Sequence, residues 1–286
     1  MITERNKIVN SNRTLNIFWH SEKEVPRLVK LAVKSWILQN HQVNVWTLGK
    51  EYDFGVEVST IDFTKFCDDI PYDMMYCQTK PFSDERYIAG FVDWCRFKII
   101  DILGSGVIMD TDIILFKPFI TTKTTFVCEE SFRGSNVLYG LYPCAGIFTD
   151  FDGISKELEP KAKALLKDGI KHGTIMNLLY QHCVDNYRGD FQRHYEKTFK
   201  PYVDIIEHNQ FFELGYDELS VFYDKVNTSV LRRLKDVNGI HCWMSILDES
   251  KAFKEGTLLH LLEVLIMKHN AIPLYQLLKI SKTTLT

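Results

Sequence analysis

The fold prediction starts from residues 104–115, GSGVIMDTDIIL, where an apolar run leads into two acidic residues. The residues from Val107 to Met109 are bounded by glycines, a pattern typical of a buried strand. Two adjacent carboxylates in a cleft need an opposite charge, because an unpaired buried charge is costly. Oxygen ligands suit Mg²⁺ or Mn²⁺, which also bind phosphate oxygens. The segment therefore predicts a divalent-metal site, and the alternative is a strand-end turn with two solvated acids.

The composition is that of an ordinary globular protein. Of the 286 residues, 45% are hydrophobic and 25% are charged, and the formal net charge of −3 gives no general attraction to nucleic acid. Seven cysteines, none in a CxxC pair, predict reduced thiols. The first residues lack the apolar region of a signal peptide, and no apolar run reaches the about 18 residues that span a bilayer. We expect a cytoplasmic protein, at most peripheral at the inner face of a membrane.

Hydrophobic periodicity predicts alternating strands and helices. A strand over residues 14–19, a helix over 26–39 and a strand over 42–48 form a predicted βαβ unit. A second helix is expected from an N-cap at Ser83 to residue 103, where Gly104 ends it. The remaining predicted elements are strands over 125–128 and 146–149 and helices over 155–167, 174–187, 258–268 and 274–280. This pattern indicates an α/β protein with a mixed sheet and a more helical second half.

The predicted second helix carries a pair of opposite charges, Asp93 and Arg96. Because they lie three residues apart, they share one face of the helix. An exposed ion pair of this kind contributes little to stability. The neighbouring positions are apolar, however, which favours a buried pair, and such a pair needs its own partners or a polar ligand such as a ribose or phosphate.

Two further segments combine a histidine with a tryptophan. His241 precedes Trp243 and Ser245, and a neutral imidazole can complete a metal site beside two carboxylates, although a structural histidine is the alternative. Trp19 and His20 follow the first predicted strand, and ligands of open α/β sheets bind beyond the carboxyl ends of strands. Trp19 would then stack on a base, unless it packs in the core.

Taken in order, these motifs resemble those of nucleotide-sugar glycosyltransferases with a GT-A fold, most closely glycosyltransferase family 32. The segment from Ala89 to Asp112 is similar to the family pattern A-x-x-S-D-x-x-R…G-G-x-Y-x-D-x-D, and residues 115–119 fit its continuation. Val92, Ser105 and Met109 depart from that pattern. The family includes capsule and lipopolysaccharide sugar transferases, α-1,4-galactosyltransferases and Golgi α-mannosyltransferases.

The resemblance implies a Rossmann-like, nucleotide-sugar-binding GT-A domain over residues 1–250, with residues 251–286 as a helical extension packed on it. It implies a metal-dependent, retaining transferase that moves a hexose from a UDP- or GDP-linked sugar to a glycan or lipid-linked saccharide. Mn²⁺ or Mg²⁺ would be held by Asp112, Asp110 and His241, with Asp110 acting through water or the ribose. The implied catalytic residues are Asp93, Arg96, Asp110 and Asp112. The implied donor-binding residues are Trp19, His20, Asp93, Arg96, Asp110, Trp243 and Ser245.

Two other functions fit parts of the pattern. A haloacid-dehalogenase-like phosphatase also has D-x-D after a strand, but it needs Thr or Val two residues past the second Asp, where this chain has Ile114. A sugar- or nucleotide-binding module without catalysis would keep the fold and lack turnover. Residues 258–267 are too uniformly apolar for a one-sided surface helix. They predict core packing, and a peripheral membrane or partner contact is the alternative.

Overall fold

The computed structural model describes residues 8–79, 86–129, 142–167, 203–206 and 209–268, together with Gly169, Leu178 and His182. The strands are β1 (Thr14–Phe18), β2 (Gln42–Thr47), β3 (Ser59–Asp62), β4 (Gln78–Thr79), β5 (Arg86–Tyr87), β6 (Gly106–Met109), β7 (Ile113–Leu115), β8 (Thr124–Glu129), β9 (Tyr142–Asp150), β10 (Val203–Ile206) and β11 (Gly239–His241). The helices are α1 (Arg27–Leu38), α2 (Ala89–Leu103), α3 (Ile154–Leu166), α4 (Asn209–Phe212), α5 (Ser220–Tyr223), α6 (Thr228–Arg233), α7 (Glu249–Ala252) and α8 (Leu258–Glu263).

The described residues form a central seven-stranded sheet in the order β3-β2-β1-β6-β9-β8-β10. Strand β9 runs antiparallel to its neighbours β6 and β8, and every other neighbouring pair in this sheet is parallel. The predicted α/β class with a mixed sheet is therefore confirmed. The predicted βαβ unit is also present, because β1 and β2 are parallel neighbours joined through α1.

Helix α2 begins later than the sequence pattern predicts. Arg86 and Tyr87 form β5, which pairs antiparallel with β4, and the helix starts at Ala89. The prediction that the helix begins near Ser83 is therefore wrong for Arg86 and Tyr87, because these residues form backbone hydrogen bonds within the hairpin instead of within a helix. Ser83 itself lies outside the described residues. The predicted end is confirmed, since Gly104 takes the left-handed conformation (φ 80°) and its N–H donates to the Ile100 carbonyl.

The other predicted elements have mixed outcomes. Strands β8 and β9 contain the predicted segments, and α3 agrees with the prediction to within a residue at each end. The predicted helix over 258–268 consists of α8 and a π-helical turn, Val264–Lys268. The helices predicted over 174–187 and 274–280 lie outside the described residues, apart from Leu178 and His182. The pattern gave no prediction for β3, β10, β11 or the short helices α4 to α7.

The apolar core lies on both faces of the sheet because side chains alternate along each strand. Leu15 and Val107 face the layer that contains α1 and the C-terminal helices, whereas Phe18 and Ile108 face α2 and α3. Most apolar residues of the segment 258–267 lie in the first layer, as core packing predicts, although Met267 is exposed; the buried ones are Leu258, Leu259, Leu262, Leu265 and Ile266. None of the helices in the described part of the chain has the length and apolar character needed to cross a membrane.

Candidate metal centre

The predicted site residues lie where the order of the sheet reverses. From β1 the chain adds β2 and β3 on one side, and then returns to place β6 on the other side of β1. Strands β1 and β6 are parallel, with Leu15 opposite Val107, so their carboxyl ends open at the same edge. Such a switch point is the usual ligand crevice of open α/β sheets. Trp19 follows one strand at this edge, and Asp110 follows the other.

A second strand pair brings His241 to the acidic turn. The turn at Asp110 to Asp112 joins β6 to β7, and β11 pairs antiparallel with β7 so that His241 lies opposite Ile113. This pairing needs a glycine at position 239, because a Cβ there would lie 2.5 Å from the Ile114 carbonyl oxygen. The close approach of the two backbones therefore depends on Gly239.

Asp110, Asp112 and His241 form a compact group of metal-ligating side chains. The His241 Nε2 atom lies 3.2 Å from Asp112 Oδ1 and 3.9 Å from Asp110 Oδ2. One ligand atom from each of the three residues lies within 4.8 Å of the others, so the group could hold a metal ion. Asp112 and His241 are buried and Asp110 is half-buried. Two carboxylates with an imidazole suit several divalent ions, and the geometry does not select one of them.

The two acids differ in electrostatic surroundings. Burial raises the pKa of Asp110, and the charge of Asp112 adds to this effect while Arg96 opposes it. Burial also acts to raise the pKa of Asp112, but the charge and hydrogen bond of His241 and the Met244 N–H outweigh it, so the pKa lies below its usual value. Asp112 is thus the better-stabilised anion of the pair.

Backbone N–H groups from the segment after β11 hold Asp112. The Cys242 N–H donates to the Asp112 carbonyl oxygen over 2.9 Å, and the Met244 N–H donates to the Asp112 Oδ2 atom over 2.8 Å. The sequence pattern did not predict either contact, because a backbone donor leaves no signal in residue type. The side chain of Ser245, a predicted donor-binding residue, is exposed in the same segment.

Arg96 links the acidic turn to helix α2. Its Nη1 atom lies 3.1 Å from Asp93 Oδ1, and its Nη2 atom donates to Asp110 Oδ1. All three side chains are at most one-fifth exposed, so the buried pair is confirmed and the alternative of a solvated surface pair is wrong. Burial raises the pKa of Asp93 to about 7, because Arg96 only partly offsets the desolvation and Asp110 adds repulsion.

Trp19 and His20 carry buried polar atoms at the carboxyl end of β1. The Trp19 Nε1 and His20 Nδ1 atoms are buried, and neither has a hydrogen-bond partner among the described residues. The Trp19 ring packs edge-on against Phe54, with ring centroids 6.2 Å apart. Burial lowers the pKa of His20, with a further lowering from Lys50 and an opposing effect of Glu22. Unpartnered buried polar atoms are uncommon in native proteins, so these two atoms are candidates for hydrogen bonds to a ligand.

Comparisons with known proteins add no assignment: no family model matches the chain, and no curated protein matches it. The chemistry therefore has to be inferred from the site itself. It combines a cluster that could hold a cation, a guanidinium bridging two carboxylates, and unpartnered polar atoms on the neighbouring strand. That set suits an anionic ligand with a polar body, since cation and guanidinium groups bind phosphate oxygens.

Proposed function

We propose that the protein is a metal-dependent, retaining glycosyltransferase with a GT-A fold. It transfers a hexose from a UDP- or GDP-linked sugar to a glycan or lipid-linked saccharide, as in the assembly of capsule or lipopolysaccharide. The observation that carries the proposal is the convergence of Asp110, Asp112 and His241 at the switch point between β1 and β6, with Arg96 bound to the first acid. The strand order, with the single antiparallel strand β9 among the described strands of the central sheet, is compatible with this fold.

The donor diphosphate would bind beside the acidic turn. Mn²⁺ or Mg²⁺ held by Asp112, Asp110 and His241 would neutralise charge on the leaving diphosphate. Asp112 is suited to direct ligation because its pKa is lowered, whereas Asp110 is shared with Arg96. The guanidinium keeps Asp110 oriented, and its planar fork can also reach a phosphate or ribose oxygen.

We assign the recognition of sugar hydroxyl groups to Asp93. Its pKa of about 7 means that both protonation states are populated at neutral pH, so the carboxyl can accept or donate a hydrogen bond. Arg96 holds the carboxyl in place from the next turn of α2. A sugar lies beside the diphosphate in a nucleotide sugar, and Arg96 bridges Asp93 to Asp110 of the proposed metal site.

The nucleoside would bind at the carboxyl end of β1. The unpartnered Trp19 Nε1 donor and the His20 Nδ1 atom can form hydrogen bonds to a ribose or base. The two strand ends are neighbours in the sheet, so a nucleotide can span them with its diphosphate toward Asp112. This arrangement follows the general rule for nucleotides at switch points.

We favour transfer by attack of the acceptor on the face from which the nucleotide leaves. The bond between the anomeric carbon and the phosphate oxygen breaks, the bond to the acceptor oxygen forms, and the acceptor's proton passes to the leaving phosphate oxygen. Asp110 is paired with Arg96 and Asp112 faces His241, and both are assigned to the metal, so we assign neither of them as a nucleophile. Trapping a covalent glycosyl-enzyme would contradict this mechanism.

The proposal is tested with a panel of nucleotide sugars. We expect release of UDP or GDP from one donor by slow hydrolysis with Mn²⁺ or Mg²⁺, and loss of that release with EDTA. Binding of a nucleotide sugar without release would instead indicate a non-catalytic module. Hydrolysis of p-nitrophenyl phosphate without nucleotide release would indicate a phosphatase, and either result would overturn the proposal.

A further inference from the structure

Trp243 has a backbone conformation that bulky residues rarely adopt. Its φ is 55°, and the only other non-glycine residue with positive φ in the described part of the chain is Asn40. Asparagine tolerates the left-handed region, whereas tryptophan has no local hydrogen bond that would favour it. Strain of this kind persists where the surrounding structure enforces it, and it is concentrated at functional sites.

The left-handed turn directs two backbone donors to one residue. The N–H groups of Cys242 and Met244, on either side of Trp243, both donate to Asp112: the first to its carbonyl oxygen, the second to its carboxylate. In an extended strand, residues two apart are separated by about 6.6 Å along the strand. The Met244 N–H would then continue the strand pairing beyond Asp112. The turn at Trp243 therefore allows the second donor to reach the carboxylate.

The Trp243 side chain is anchored by a hydrogen bond and by two ring contacts. Its Nε1–H donates to the Leu214 carbonyl oxygen over 3.0 Å, and its ring contacts Phe212 at a centroid distance of 5.7 Å. The ring also lies 4.3 Å from the His241 ring, at an interplanar angle of 85°. An edge-on ring at this distance restricts the rotation of the imidazole whose Nε2 atom faces Asp112.

We infer that Trp243 is a positioning residue of the metal pocket: its ring orients His241, and its backbone turn brings the Met244 N–H to Asp112. The inference rests on the proposed metal pocket and differs from the role that the sequence predicts, in which Trp243 contacts the donor. The two roles have separate consequences. A positioning residue changes the affinity for the metal alone, whereas a donor contact changes the affinity for the nucleotide.

The test compares Trp243→Ala, Trp243→Gly and Trp243→Phe with the wild-type full chain. The Kd for Mn²⁺ is measured by titration without nucleotide, and the Kd for UDP and GDP is measured in EDTA. We expect Trp243→Ala and Trp243→Gly to weaken Mn²⁺ binding by about tenfold to a hundredfold, the usual range for groups that orient metal ligands. Trp243→Phe keeps a ring beside His241 and loses the bond to Leu214, so its loss should be smaller. Nucleotide binding in EDTA should stay unchanged.

Two controls separate positioning from a loss of folding. Trp243→Gly can adopt positive φ without steric cost, so it should keep a cooperative thermal transition while it loses the ring. Ile246→Ala, at an exposed position in the same segment, should leave the Mn²⁺ affinity unchanged. Unchanged Mn²⁺ affinity in folded Trp243→Gly, or weakened nucleotide binding with normal Mn²⁺ affinity, would overturn the inference. Because the readout is metal binding, the result does not depend on whether any nucleotide sugar is turned over.

Discussion

The two segments that meet at the candidate metal centre are built in different ways. Residues 104–115, which contain the acidic turn, follow directly from the end of α2 and include β6, which pairs with β1 and β9 inside the central sheet. The segment over residues 239–244 arrives from far along the chain and is held by one short strand pairing and by backbone donors to Asp112. The acids of the site therefore follow a strand of the central sheet, whereas its histidine depends on a pairing of only two short strands.

Removal of the charge at Asp112 should have the largest effect, because this residue joins both segments. We expect Asp112→Asn to abolish nucleotide release while it keeps the fold, since the amide loses the anionic ligand and its interaction with His241. Steady-state release in Mn²⁺ buffer measures the loss. Asp73→Asn, an exposed acid on the surface, is the matched control. Near-full activity of Asp112→Asn would disprove the assignment of the D-x-D motif.

Gly239→Ala should selectively affect the segment over residues 239–244. The added Cβ would lie 2.5 Å from the Ile114 carbonyl oxygen, so β11 must move away from β7 and carry His241 with it. We expect a loss of about 1–3 kcal/mol in the free energy of unfolding, typical of overpacking, together with weaker Mn²⁺ binding.

Gly104→Ala is the matched control in the segment over residues 104–115. A Cβ at Gly104 would meet no atom within 4 Å, and only its positive φ opposes the change. Urea unfolding should show a loss of about 1 kcal/mol with Mn²⁺ affinity retained. Equal losses of metal affinity in both glycine variants would contradict the claim that the pairing of β11 with β7 specifically positions His241.

Acid should destabilise the fold through His41, which joins the residue before β1 to the chain after β7. The His41 Nδ1 atom lies 3.0 Å from the Arg13 carbonyl oxygen, and its Nε2 atom accepts the Phe119 N–H over 3.0 Å, so the imidazole is neutral. Burial lowers the pKa of His41. The hydrogen bond to the Arg13 carbonyl oxygen acts to raise this pKa, and the positive charge of Arg13 acts to lower it. The unfolded chain therefore takes up this proton first, and stability should fall as the pH drops below about 6.5.

The measurement is urea unfolding of the wild type and His41→Phe at pH 7.5 and pH 5.5. Asp93, with a pKa of about 7, also contributes to the pH dependence in this interval, so the difference between the two proteins isolates His41. The wild type should lose more stability than the variant between these two pH values. An identical pH dependence would show that His41 does not remain neutral in the folded protein.

The smallest effect is expected from the surface contact between α1 and α8. Arg27 forms a two-pronged ion pair with Glu263, and the Arg27 side chain is half exposed. Solvent screening limits such a pair to less than about 1 kcal/mol, so Glu263→Gln should change the unfolding midpoint only slightly. Mn²⁺ affinity should not change; a change would mean that the C-terminal helices control the metal site.

Elements with a local sequence signal could be predicted, whereas elements that form only by pairing with distant residues could not. Helix α1, strand β6 and the end of α2 at Gly104 were predictable because apolar spacing and a left-handed cap are local signals. The start of α2 was not predictable, since β5 forms only by pairing with β4. Strand β11 also escaped prediction, because three residues carry too little periodicity to indicate a strand.

At the site, residue types in the sequence indicate the candidate metal ligands, but they do not indicate which backbone groups contact those ligands. Asp110, Asp112 and His241 were proposed as metal ligands, and the structure brings them together. The bonds from the backbone of Cys242 and Met244 were unpredictable, because every residue other than proline offers the same N–H. The left-handed turn at Trp243 was also invisible, since a tryptophan is among the last residues expected there.

The most direct test measures nucleoside diphosphate release from the nucleotide-sugar panel by wild type and His241→Gln, with Mn²⁺ and with EDTA. We expect metal-dependent release by the wild type from at least one donor. We also expect His241→Gln to need at least tenfold more Mn²⁺ for half-maximal rate, by the scale of lost metal-site interactions. Release that is insensitive to EDTA, or an unchanged Mn²⁺ requirement in His241→Gln, would contradict a metal-dependent transferase with His241 as a metal ligand.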